Sequence, residues 1–117
     1  MAMNWIELKE EDQINTIKEQ SKEKSVLIYK HSTRCSISSM SLDRLERSWN
    51  NEEMSMVKPY FLDLIQFKSL SNIIASEFNV HHESPQVLLI KDGKCFYHES
   101  HSGITYREIT KQLSSKS

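Results

Sequence analysis

The stretch Tyr29-Lys30-His31-Ser32-Thr33-Arg34-Cys35-Ser36-Ile37-Ser38 decides how the rest of the chain is read. Ahead of it, Val26-Leu27-Ile28-Tyr29 is short, apolar and unbroken, the pattern of a strand buried on both faces. Behind it, Ile37, Met40, Leu45 and Trp49 recur at spacings near i, i+3 and i+4, with Asp43, Arg44, Glu46 and Arg47 between them. That spacing predicts a helix over 36–49 with its apolar residues turned inward, stopped at Asn50-Asn51. Cys35 therefore stands where a strand ends and a helix begins.

The position has a chemical consequence. The first turn of a helix carries backbone N–H groups without intrahelical partners, at the positive end of the helix dipole. A sulfur there is favoured as thiolate, the nucleophile of disulfide chemistry. Arg34 adds a positive charge nearby, and His31 adds another when protonated. Ser38 stands three residues after Cys35, where dithiol oxidoreductases with a Cys-x-x-Cys motif place their second sulfur. A hydroxyl there can bond a thiolate but cannot close a disulfide, so a reactive Cys35 works as a single thiol. The plain alternative is a buried cysteine acting as a small hydrophobe.

Outward from this centre the order of elements takes shape. Residues 57–64 form a second apolar stretch, read as a strand with Pro59 near its start or on an unpaired side. Strand, helix and strand over this length suggest a right-handed βαβ unit with a parallel pair. Towards the N-terminus, Ile14 and Ile17 mark the buried stripe of an amphipathic helix over 10–22, with Leu8 packed before it. Towards the C-terminus, Leu70, Ile73, Ile74 and Phe78 give a helix over 69–78. Val80-His81-His82-Glu83 reads as a loop, and Ser84-Pro85 precedes the apolar run Gln86-Val87-Leu88-Leu89-Ile90-Lys91. Asp92-Gly93 is a two-residue hairpin turn returning a strand over 94–99. Thr105-Tyr106-Arg107-Glu108 has the form of a capping box opening a last short helix that buries Ile109 and Leu113.

The resulting order, α, β, α, β, α, β, β, α, fits an α/β class protein: a central mixed sheet of about four strands with helices on both faces. This is the thioredoxin-like arrangement, in one domain over 1–117. In such a fold a loop ending in a cis proline faces the reactive cysteine, so Pro85 is expected to be cis. Ser84 is then expected to offer backbone groups to a bound partner as an added strand would.

Composition narrows the function. The chain has 117 residues, 38% of them apolar, enough for a core without disulfide staples. Its net charge of −1 argues against general nucleic-acid binding, which needs clustered Lys and Arg. No apolar run approaches the length of a membrane span, and residues 1–10 lack a basic segment followed by an apolar one, so neither membrane partner nor signal peptide is expected. The two cysteines, Cys35 and Cys95, cannot build a four-thiolate metal site within one chain. Histidines 31, 81 and 82 lack a spaced carboxylate or cysteine to complete a set, so no metal is expected. Cys95 is read as a sheet residue at the far end from Cys35, His98 and His101 as surface residues, Met40, Met54 and Met56 as fillers of core or loop gaps, and Trp49 as a core anchor.

The quoted motifs resemble a known family. Lys30-His31-Ser32-Thr33 before the cysteine, Cys35-x-Ile37-Ser38 after it, and His82-Glu83-Ser84-Pro85-Gln86 running through Asp92-Gly93-Lys94 are similar to the monothiol bacilliredoxins. The resemblance covers nearly the whole chain and includes His98-x-x-His101 followed by Ile104-Thr105. It implies a cytoplasmic thioredoxin-fold enzyme acting in the bacillithiol system, with bacillithiol as co-substrate. Its partners would be S-bacillithiolated client proteins and a thiol reductase. It also implies Cys35 as the attacking cysteine. His31, Thr33, Arg34, Ser36, Ile37 and Ser38 would surround the bound disulfide, with Ser84 and Pro85 opposite. One residue departs from the family motif Cys-Pro-Ile-Ser: Ser36 stands where the family has proline. A proline at the first helical position presets φ and removes an N–H. Serine restores that donor and loosens the turn, so activity is expected with an altered redox poise. Two other readings stand beside this one, a cluster carrier bridging two copies through their single cysteines, and a non-catalytic binding module.

Overall fold

The structure is a computed structural model that describes residues 4–115. Among these residues five strands form one sheet in the order β1-β3-β2-β4-β5: β1 Ile6–Glu7, β2 Ser25–His31, β3 Val57–Asp63, β4 Gln86–Lys91 and β5 Lys94–Ser100. Four α-helices accompany them: α1 Asp12–Gln20, α2 Ser36–Ser48, α3 Lys68–Glu77 and α4 Tyr106–Ser114. A 3₁₀ turn, His101–Gly103, joins β5 to α4. Strands β1, β3 and β2 run parallel, whereas β4 and β5 run antiparallel to their neighbours. The extra strand β1 is too short to carry a period-two signal, which is why the sequence reading gives four strands. No helix among the described residues is long and apolar enough to cross a membrane.

Alternation along β2 divides the core. Val26 and Ile28 face the layer holding Ile14, Ile17, Leu62, Leu70 and Ile74. Leu27 and Tyr29 face the layer holding Leu45, Met54, Ile104 and Ile109. Pro59 sits just before the two residues of β3 that pair with β1, where its missing N–H breaks no ladder on that edge. Asp92 and Gly93 both take positive φ, 53° and 74°, as a two-residue turn between right-twisted strands requires. The Thr105 half of the capping box forms: Glu108 N–H donates to Thr105 Oγ1 at 3.2 Å, while the Glu108 carboxylate accepts from Gln112 Nε2 at 3.3 Å.

Helix α2 departs from its expected orientation. Its buried residues are Ser38, Ser41 and Leu45, while Ile37 is 49% and Met40 71% exposed. The two serines lie on the inward face and are small enough to let the helix settle on the sheet. The apolar side chains of the first turns are displaced to the surface beside Cys35. Met54 fills the core as read, but Met56 is exposed, and Trp49 is half-buried against Tyr106 with ring centroids 5.9 Å apart.

Candidate redox site

Strand β2 runs two residues beyond Tyr29, so Lys30 and His31 are inside the sheet rather than in the loop. The chain then turns over Ser32, Thr33 and Arg34, closed by Cys35 N–H donating to the Ser32 carbonyl at 3.2 Å. Cys35 is the N-cap of α2 in extended conformation, φ −112° and ψ 117°, and its carbonyl accepts from Ser39 N–H at 3.2 Å. Its side chain is half-buried and its thiol is free. No side chain caps this helix end, so the N–H groups of the first turn remain open to the sulfur or to a bound partner. Thr33, Arg34 and Ser36 are exposed around it.

Two expectations for the motif change. Ser38 is fully buried, and its hydroxyl is taken up by Ser32 N–H at 3.1 Å and His31 Nδ1 at 2.7 Å. The hydroxyl expected to bond the thiolate instead braces the loop from beneath. His31, expected to lend positive charge, is buried, and burial pulls its pKa below the ordinary value against the opposing pull of Asp63 and Glu46. The imidazole is therefore neutral at neutral pH, and the Ser38 hydroxyl joins its Nδ1 to Ser32 N–H. Tyr29 completes the support: its hydroxyl donates to the Ser38 carbonyl at 3.1 Å, and burial pushes its pKa up to about 12, keeping it a donor.

The Ser84–Pro85 peptide is cis, as expected. Gln86 pairs with Lys30 across the sheet, which sets Pro85 at the same sheet end as His31 and the Cys35 loop. Ser84 is half-buried and its Oγ has no hydrogen-bond partner among the described residues. The loop is tied on two sides. On one, His101 N–H donates to the Pro85 carbonyl at 3.0 Å, and the His101 carbonyl accepts from Ser41 Oγ of α2 at 3.3 Å. Ser100 Oγ donates to Glu83 at 2.6 Å, which with His101, His81 and His98 nearby holds that carboxyl below its usual range. On the other side, Lys30 and Ser71 reach His82. Between α2 and the 3₁₀ turn lies a groove of about 360 Å³ lined by Ile37, Met40, Ser41, Arg44, His101 and Ser102.

The model of the monothiol bacilliredoxins, BrxC, matches residues 6–109. This chain belongs to the monothiol bacilliredoxin family. Among solved structures, a thioredoxin-fold protein provisionally described as an oxidoreductase is 31% identical, with a TM-score of 0.77 over 91% of this chain and 90% of that one. A thioredoxin of Malassezia sympodialis superposes with a TM-score of 0.72 at 16% identity, over 98% and 93% of the two chains. A thioredoxin of Nicotiana alata does so with the same score at 18% identity, over 98% and 94%. The last two likenesses establish the thioredoxin fold. The family match, together with the 31% identical thioredoxin-fold protein, supports a thiol redox function for the chain.

Cys95 belongs to none of this. It pairs with Ile90, which pairs with Val26 at the opposite end of β2 from His31. Its Sγ–H donates to the Tyr97 carbonyl at 3.3 Å, and burial pushes its pKa up. The sequence reading missed His101, whose backbone links α2 to the proline loop, and the bond between Lys30 and His82. A lysine directly after a wholly apolar strand run was the available signal for the second.

Proposed function

We propose that this chain is a monothiol disulfide-exchange enzyme that removes bacillithiol from proteins carrying it as a mixed disulfide. The observation that supports this best is the isolation of Cys35. It is the sole thiol at its sheet end among the described residues, at an uncapped helix N-terminus, with the fourth motif position filled by a serine committed elsewhere.

In the exchange, the Cys35 thiolate attacks the bacillithiol sulfur of the mixed disulfide. A new S–S bond forms to Cys35, the old one breaks, and the client cysteine leaves as thiolate and takes a proton from solvent. A second thiol, from free bacillithiol or a thiol reductase, then attacks the bacillithiol sulfur and releases Cys35 as thiolate. Rates of such exchange depend on access and on both thiols' acidity. On this reading the Ser84 backbone next to Pro85 pairs with an extended client segment, and the exposed Ile37 and Met40 give that segment an apolar seat. The cytoplasm, where thiols are kept reduced, suits this chemistry.

The experiment is intact mass and peptide mapping after mixing the reduced protein with a bacillithiolated client. The expected result is one bacillithiol on Cys35, none on Cys95, a freed client thiol, and no transfer by Cys35→Ser. Transfer that survives Cys35→Ser would overturn the proposal.

A further inference from the structure

Lys30 is the one lysine or arginine that is fully buried among the described residues. No carboxylate pairs with it there: Nζ lies 3.3 Å from the Ser71 carbonyl and 3.3 Å from His82 Nδ1, and burial alone pulls its pKa down to about 8. Ser71 Oγ is also 3.3 Å from His82 Nδ1. A buried cation without a counter-ion works against folding, and an apolar side chain of similar size would serve the core better. The charge therefore has to be explained by where it is. It projects from β2 beneath the loop that joins α3 to β4, and it holds that loop at His82, two residues before Ser84.

With Lys30 donating, His82 Nδ1 is an acceptor and the ring proton sits on Nε2. Burial, then the Lys30 charge, holds the His82 pKa below its ordinary value, which keeps the acceptor available at neutral pH. The outer ties of the loop run through Glu83 and the Pro85 carbonyl. The Lys30–His82 bond is the inner tie.

We propose that Lys30 and His82 are positioning residues: their bond fixes the Ser84–Pro85 segment at the height of Cys35 and so sets how tightly the disulfide substrate is held. This rests on the exchange reading of Cys35. It predicts an effect on substrate binding and none on the intrinsic reactivity of the sulfur.

The test uses a cysteine peptide carried as a mixed disulfide with bacillithiol. KM and kcat for its reduction are measured alongside the rate at which iodoacetamide alkylates Cys35. Lys30→Met and His82→Ala are expected to raise KM about tenfold, the scale of one charge-assisted hydrogen bond. Alkylation and kcat should stay within about twofold of wild type on the same reasoning. His82→Asn, whose amide oxygen can accept the same Lys30 N–H, should restore KM. In the wild type KM should rise on acidification as His82 protonates among Lys30 of β2, Lys68 of α3, and His81 and Glu83 of its own loop. His82→Asn should lose that rise. Unchanged KM in folded Lys30→Met, parallel losses in alkylation and exchange, or His82→Asn no better than His82→Ala would each overturn the proposal. A wild-type protein that forms no mixed disulfide on Cys35 would instead overturn the exchange reading, before any variant is compared.

Discussion

The imidazole of His31 and the hydroxyl of Ser38 share a 2.7 Å hydrogen bond beneath the Cys35 loop. His31 ends β2 and Ser38 lies in the first turn of α2, so this bond and the one from Ser32 N–H close the loop over seven residues. A serine at this position is thus structural as well as a replacement for a second sulfur. Ser38→Ala strands two buried groups, Ser32 N–H and His31 Nδ1. Each unmet buried group costs ~1–3 kcal/mol, so a loss of about 2–4 kcal/mol is expected in urea unfolding. A change below ~0.5 kcal/mol would contradict the bracing role.

Acid should unfold the protein through the same residue. The folded-state pKa of His31 lies below its unfolded value because of burial, so between the two the unfolded chain binds more protons. Stability is full above about pH 6.5 and falls as pH drops through the window below it. His82 is shifted the same way and adds to the effect. Urea midpoints from pH 7 to 5 should decline in the wild type and decline less in His31→Gln.

Lys30 gives the opposite window. Its folded pKa of about 8 lies below the ordinary 10.5, so the unfolded chain binds more protons between these values and wild-type stability gains as pH rises through them. Lys30→Met removes the buried charge. At pH 7 the variant should be more stable by ~1–3 kcal/mol, and its advantage should shrink towards pH 10.5. Comparing the two proteins cancels the losses that raised Tyr29 and Cys95 impose on both at high pH. A variant less stable than wild type at pH 7 would show that the ammonium's bonds outweigh its desolvation.

The hairpin, the Thr105 cap, the βαβ unit and the place of Cys35 were legible because each rests on local chemistry: a turn that needs positive φ, a side-chain cap, a hydrophobic period. The orientation of α2 was not, because its inward face is made by Ser38 and Ser41, whose value is small size rather than apolarity. Strand β1 escaped for want of length. The proline loop was found through Ser84-Pro85, but the ties that hold it come from residues 30, 71, 100 and 101, distant in sequence and joined only by sheet register. The neutral state of His31 followed from burial, which no local pattern around it revealed.

His101 holds a left-handed backbone, φ 55°, where its N–H meets the Pro85 carbonyl and its own carbonyl meets Ser41. Its ring contact to Glu83, 3.5 Å between exposed groups, contributes little. The backbone shape therefore matters more than the imidazole. His101→Gly should unfold within ~1 kcal/mol of wild type, whereas β-branched His101→Val should lose a further ~1–2 kcal/mol from the left-handed conformation. Thermal denaturation of the pair checks this, and equal stability of the two would refute it.

Cys95 should take no part in exchange. Its partner Ile90 pairs with Val26, and from Val26 to His31 the strand advances five residues, roughly 16 Å at 3.3 Å each, before the Cys35 loop begins. A disulfide needs Cα atoms within about 7 Å. Oxidation of the protein alone should therefore give no link between Cys35 and Cys95. Small-thiol adducts or a dimer joined through Cys35 are expected instead, because Cys95 is half-buried and burial disfavours its thiolate. Cys95→Ala should transfer bacillithiol at the wild-type rate. Non-reducing peptide maps of oxidised wild type decide the matter: an internal Cys35–Cys95 peptide would require β5 to leave the sheet, and with it would go the single-sulfur mechanism.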